Sequence, residues 1–318
     1  MSIASLGGFV LVFVLVAWSL SAIGGLALLG GRTSLRRHGP AVERRAAVAV
    51  AVVPVALAFS VVAALVVRSL VGPDHCEVHH HHAHLCLVHG AVWLDRAWVV
   101  AALATVTAVV AMRSAFLVAN LLRGTRGLAE LASASTVHGN VRIVESERAF
   151  GFVAGLVNPA IYVSSRAWSA LTEIEREALV AHERAHVAHG DLRARIVLEG
   201  FLTLASPLVG ELVRATWRSA SERLCDTEAV KAIRDAPAVA SAMVALCRLH
   251  ASRPPALGFT PAAHELADRV QAVLNGEPSG VRSATILARA VSTAALTIII
   301  AAGLAAEPLH HALETLLG

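Results

Sequence analysis

The chain has 318 residues, enough for two or three domains, but it is 56% hydrophobic with a mean hydropathy of +0.65, which excludes an ordinary soluble protein. Only 16% of it is charged, and the net charge of +4 is carried almost wholly by arginine, with Lys231 the sole lysine. No Lys/Arg tract of the kind that binds nucleic acid is present, so the lipid bilayer is the expected partner and no nucleic acid is.

The opening, MSIASLGG, lacks the basic start of a secretory signal, and the apolar run after it is too long for one; Ile3 to about Leu29 is expected to be an uncleaved first span. Ala46 to about Val71 and Ala97 to about Leu122 are the second and third, each exceeding the roughly 20 residues that cross a bilayer. Arg113, near one end of the third, is expected to snorkel. The loop between the first two spans holds Arg32, Arg36, Arg37, Arg44 and Arg45, whereas the next loop has Arg96 as its only strong base. The positive-inside rule then puts the first loop in the cytoplasm and the N-terminus outside. Residues 1–122 are read as a three-span membrane region with an outer loop at 73–96.

That outer loop contains HCEVHHHHAHLCLVH, His75 to His89. His79, His80, His81, His82 and His84 are candidate ligands of an accessory zinc, copper or nickel site. A Cys76–Cys86 disulfide, a pH-sensitive element and a merely solvated low-complexity loop are the alternatives. With Cys225 and Cys247 far away, the four cysteines do not form a disulfide framework.

Residues 123–282 are mixed polar and apolar and are expected to form the cytoplasmic domain. A fourth span runs from Ser283 to about Ala305, weakened by Arg289, and leaves a short outer tail within 283–318. Within the domain, Asn158 onward (NPAIYVSSRAW) reads as a strand. Ile196 to Leu212 is apolar but short, and Glu199, Pro207 and Glu211 interrupt it.

The most informative stretch is ALVAHERAHVAHGDL, Ala178 to Leu192. Thr172 and Glu175 upstream form a capping box, and Gly190 is placed to end the helix. On that helix His182 and His186 project from one face, one turn apart, so two imidazoles can hold one Zn²⁺. Glu183 beside them is placed to take a proton from water, the His-Glu-x-x-His arrangement of zinc metallopeptidases. Catalytic zinc needs a third protein ligand. Trp217 to Val230 reads as another helix and offers Glu222, with Asp226 one turn later to fix the tautomer of a ligand histidine. Because the motif and Glu222 must meet at one ion, no single span can lie between them, and Ile196–Leu212 is expected to be a buried or interfacial helix of the domain. His189 is expected to be structural, and Cys225 packed.

HERAHVAHGD followed by ERLCDTEAV resembles the gluzincin integral membrane zinc metallopeptidases, and most closely the bacterial β-lactam-sensor and antirepressor family; the HtpX-like family is the near alternative. The resemblance covers about Ala149 to Val230, and the rest as layout. It implies a multi-pass α-helical protein of about four spans in the bacterial inner membrane, with a cytoplasmic α+β, mainly helical, zincin-like domain. It further implies peptide-bond hydrolysis in a protein or peptide substrate, with His182, His186 and Glu222 as zinc ligands and Glu183 as base. The strand from Asn158 would hold the substrate along its edge. Tyr162, Arg269 and His264 are possible oxyanion donors. The sensor proteins carry a large penicillin-binding domain after the last span, where about a dozen residues follow here, which argues against a β-lactam-sensor role. A membrane metal-sensing protein with a non-catalytic peptidase-like domain is the alternative reading.

Overall fold

The computed structural model describes residues 3–71, 96–250 and 261–304. The histidine loop, with His79, His80, His81, His82, His84, Cys76 and Cys86, lies outside the described residues. Among the described residues the chain is mainly helical, with one four-stranded sheet.

Among the described residues, four helices are long and apolar enough to cross a membrane: α1 (Ile3–Arg37), α2 (Pro40–Val71), α3 (Ala97–Ser133) and α10 (Val281–Leu304). In lipid every backbone polar group must be satisfied within the segment, and runs of Ala, Val and Leu do this as helix. Small residues let α1 and α2 pack closely: Ala17, Ala47, Ala51 and Ala58 are fully buried, and Gly24 lies under Val50. α3 does not stop at Leu122 but continues as one helix to Ser133, delivering the chain directly to the first strand.

The sheet has the order β1 (Ser135–His138), β2 (Val141–Val144), β4 (Ala160–Ser164), β3 (Gly151–Ala154). The β1–β2 hairpin turns on Gly139 and Asn140, with Gly139 in the left-handed region. β2 and β4 are parallel; β3 and β4 are antiparallel, with Gly151 opposite Val163. The expected strand after Asn158 is present as β4, but it is an interior strand, paired on both sides. Its edge cannot accept a peptide; among the described residues the strand beside the site with an unpaired edge is β3.

The remaining helices are α4 (Ser165–Ala170), α5 (Glu173–His189), α6 (Asp191–Leu204), α7 (Gly210–Ile233), α8 (Ala236–His250) and α9 (Pro261–Asn275). Ile196–Leu212, expected to be one buried or interfacial helix, forms most of α6, a short 3-10 turn at Pro207–Val209 and the start of α7. This helical hairpin wedges among the long helices rather than lying on a domain surface. Leu198, Leu202, Ala205, Val213 and Trp217 share one apolar cluster with Leu28 of α1 and Ala47, Ala51 and Val55 of α2. Trp18 Nε1 of α1 donates to the Leu204 carbonyl at 3.2 Å, and Val209 approaches Gly25 so closely that a Cβ there would lie 2.6 Å from its Cγ1. Arg113 turns its side chain onto α6. Its guanidinium donates to the Ala205 carbonyl at 2.9 Å and to that of Leu202, capping the C-terminal end of α6, where carbonyls lack helical partners.

The turn between α1 and α2 is clasped by the α9–α10 link. The Ala41 N–H donates to the Ser279 carbonyl at 3.1 Å, and Arg45 donates to Thr285 at 3.1 Å. Arg223 of α7 pairs with Glu43 and, at 2.8 Å, with Glu277. Gly280 has φ +68°, and a Cβ on it would overlap the His38 carbonyl oxygen. A Gly280→Ala variant is therefore expected to lose about 2 kcal/mol of stability, read as a lowered unfolding midpoint in detergent.

Candidate metal centre

The site is built by α5 and α7 packed side by side. α5 starts as its sequence predicts, with the Glu175 carboxylate accepting the Thr172 N–H at 2.9 Å, and it ends at Gly190, φ +64°. His182 and His186 face α7, and Glu183 lines the cavity beside them. Glu183 is buried at 6% exposure. α7 is longer than expected, Gly210–Ile233 rather than Trp217–Val230, and turns Glu222 and Asp226 toward α5.

His182 Nε2 and His186 Nε2 lie 3.2 Å apart. Glu222 completes the triangle, with Oε2 3.5 Å from His182 Nε2 and Oε1 3.6 Å from His186 Nε2. The other ring nitrogens face carboxylates: His182 Nδ1 is 2.9 Å from Asp226 Oδ1, and His186 Nδ1 is 2.7 Å from Asp191 Oδ2. With each Nδ1–H donated to its carboxylate, the two Nε2 atoms point into the same space, each able to offer a lone pair once it carries no proton. Two facing lone pairs and a carboxylate call for a cation. Tetrahedral zinc with Zn–N of roughly 2.0–2.1 Å separates its ligand atoms by about 3.3 Å, so the donor set fits in type and spacing.

The electrostatics agree. Burial opposes charge on His182, but hydrogen bonds and charge from Asp226 and Glu222 outweigh it and push its pKa up to about 10 without metal. Burial likewise opposes charge on Glu222, yet the His182 hydrogen bond and the Arg269 charge bring it down to about 2. Asp226, buried but held by Arg269 and His182, also falls to about 2. Glu183 goes the other way: burial raises its pKa, as suits a proton acceptor. A proton on His182 must leave before that ring can ligate, so below pH 10 metal binding releases it. Apparent zinc affinity is therefore expected to climb about tenfold per pH unit between pH 6 and 8, measurable by chelator competition at several pH values.

A cavity of about 620 Å³ opens over these groups, lined by Phe150 to Val153 on the β3 side, by Trp217 and Ser221 of α7, and by Met243 and Leu246 of α8. Of the three candidate oxyanion donors, Tyr162 is buried in β4 with its ring stacked on Phe152, 5.6 Å between centroids, and is not among the lining residues. His264 is also outside the lining, its side chain 75% exposed. Arg269 does reach the site, but it is engaged by carboxylates: 3.0 Å to Glu222 Oε2, and 2.8 and 2.9 Å to the two Asp226 oxygens. It backs Glu222 and Asp226 together. His189 stays off the donor triangle, its Nδ1 3.8 Å from Cys225 Sγ. Cys225 is buried as expected, and burial raises its thiol pKa.

The sequence reading assigned no role to Asp191. Its signal was present: it is the first residue after the left-handed Gly190, five positions beyond His186, so the chain reversal swings its carboxylate back onto that ring.

A model of the BlaR1 peptidase M56 family matches residues 50–273, from within α2 to within α9. No curated protein and no solved structure gives a significant match. The match covers more than half of the sequence and spans both metal-site helices, and the chain belongs to the BlaR1 peptidase M56 family.

Proposed function

We propose that the chain is a membrane-embedded zinc metalloendopeptidase, with His182, His186 and Glu222 as the ligands and Glu183 as the general base. One observation carries this reading: three donor atoms of suitable type lie within 4.8 Å of one another, beside a buried carboxylate and under a cavity open to a substrate. A bound zinc ion supplies Lewis acidity, acidifying water and polarising a carbonyl. Glu183 takes the proton of the attacking water and returns it to the leaving amine, for which its burial and raised pKa suit it. Asp226 and Asp191 hold the two imidazoles with Nε2 toward the metal, and Arg269 holds Glu222. The free edge of β3, along the cavity wall, would align an extended protein segment by backbone pairing.

The arginines of the α1–α2 turn support a cytoplasmic catalytic domain, residues 123–282, with the N-terminus outside a bacterial inner membrane. Residues 1–122 and 283–318 would be the membrane parts, and the α6–α7 hairpin would pass between domain and spans. The test is zinc content of detergent-purified protein lacking the histidine loop, beside the same protein carrying His186→Ala, with chelator-sensitive cleavage of a protein substrate as the second readout. About one zinc per chain, lost on substitution, together with cleavage abolished by chelation, supports the proposal. No zinc in either protein rejects it.

A further inference from the structure

Both histidines of the donor triangle are held by the same kind of relay, but the relays end in different places. His182 Nδ1 faces Asp226, which Arg269 grips with two nitrogens, and Arg269 comes from α9 in the same domain. His186 Nδ1 faces Asp191, and Asp191 is ion-paired with Arg44. Arg44 belongs to the opening of α2, among the arginines at the end of the first two long helices. It is held firmly: its side chain is 14% exposed, and its guanidinium lies over the Trp217 ring, 5.6 Å from the centroid. Trp217 both lines the cavity and packs with Leu28, Ala47, Ala51 and Val55 of α1 and α2. Asp191 is itself the first residue of α6, whose far end is tied to α1 by Trp18 and to α3 by Arg113.

We propose that Arg44 is a positioning residue for the metal ligand His186, acting through Asp191, so that metal affinity depends on how the second membrane helix seats against the α6–α7 hairpin. The inference rests on the metal reading given above. Asp191 is 6% exposed and has little water to turn to. Its orientation is set by the cation on one oxygen and the imidazole on the other. Without the guanidinium the carboxylate is anchored only through Oδ2, which the His186 ring shares with the Cys225 thiol at 3.8 Å, so it is free to turn and the ring loses the fixed partner that aims its Nε2. Outer partners of metal-bound histidine typically change affinity by about 10–100-fold, and a residue one contact further out belongs at the lower end of that range.

The test is zinc affinity of the full chain in detergent, measured by competition with a chromogenic chelator and hence independent of catalysis. Arg44→Gln is expected to weaken zinc binding about tenfold, and Arg44→Lys to recover part of the loss. The route through Asp191 is read from a double-mutant cycle: Arg44→Gln added to Asp191→Asn should weaken binding little beyond Asp191→Asn alone. Arg45→Gln, on the same turn but bonded to Thr285, should bind like wild type. Wild-type affinity in Arg44→Gln, an undiminished Arg44→Gln effect in the Asp191→Asn background, or an equal loss in Arg45→Gln each overturns the proposal. A wild-type protein that binds no zinc overturns the metal reading and this inference with it.

Discussion

Replacing Glu183 with glutamine is expected to lower kcat/KM for peptide cleavage about 10³-fold while zinc stays bound at one per chain. The substitution preserves shape and removes only the ability to accept a proton. Glu183 is at the cavity surface yet buried at 6% exposure, between His182 and His186 in sequence but not among the three converging donors. Chemistry should therefore fail without metal loss, the pattern of a group acting in the transition state and not in binding the ion. Initial rates and zinc content on the same preparation separate the two. Full activity in Glu183→Gln would exclude this residue as the base.

Glu222→Ala should give the opposite pattern, with zinc lost first and activity lost with it. Its carboxylate faces both Nε2 atoms and, held ionised with a pKa of about 2, supplies the only negative charge in the donor triangle. The two histidines alone leave the ion with two protein ligands, so affinity should fall by more than the roughly 100-fold cost of losing an outer partner. Zinc well below one per chain after gel filtration is the expected result. A fully loaded Glu222→Ala protein would show that another side chain completes the site.

What was legible in the sequence follows from how far each feature depends on distant residues. The α5 cap, the face shared by His182 and His186 and the stop at Gly190 are all local, and all three are present. Glu222 and Asp226 could be named together because one helical turn puts two carboxylates on one face, and the structure brings both to His182. The strand after Asn158 was readable, but its interior place was not, since that depends on which strands come to flank it. Arg113 was visible as a charge in an apolar run, whereas its use on the end of α6 required a partner with no pattern of its own. The α6–α7 hairpin was ambiguous for a physical reason: it is too short to span and too apolar for a surface, and it packs into the long helices for part of their length.

The clasp around the α1–α2 turn also sets a timetable. Arg45 and its partner Thr285 are separated by 240 positions, and Ala41 waits for Ser279 in the same way. At about 5–20 residues per second, a ribosome takes roughly 12–50 s to bridge that interval. Until then the first two helices can insert and pair, and Glu43 can meet Arg223, which is made earlier, but the turn has no lid. The junction would thus stay open while everything between α2 and α10 is made, and α10 would be the part that closes it.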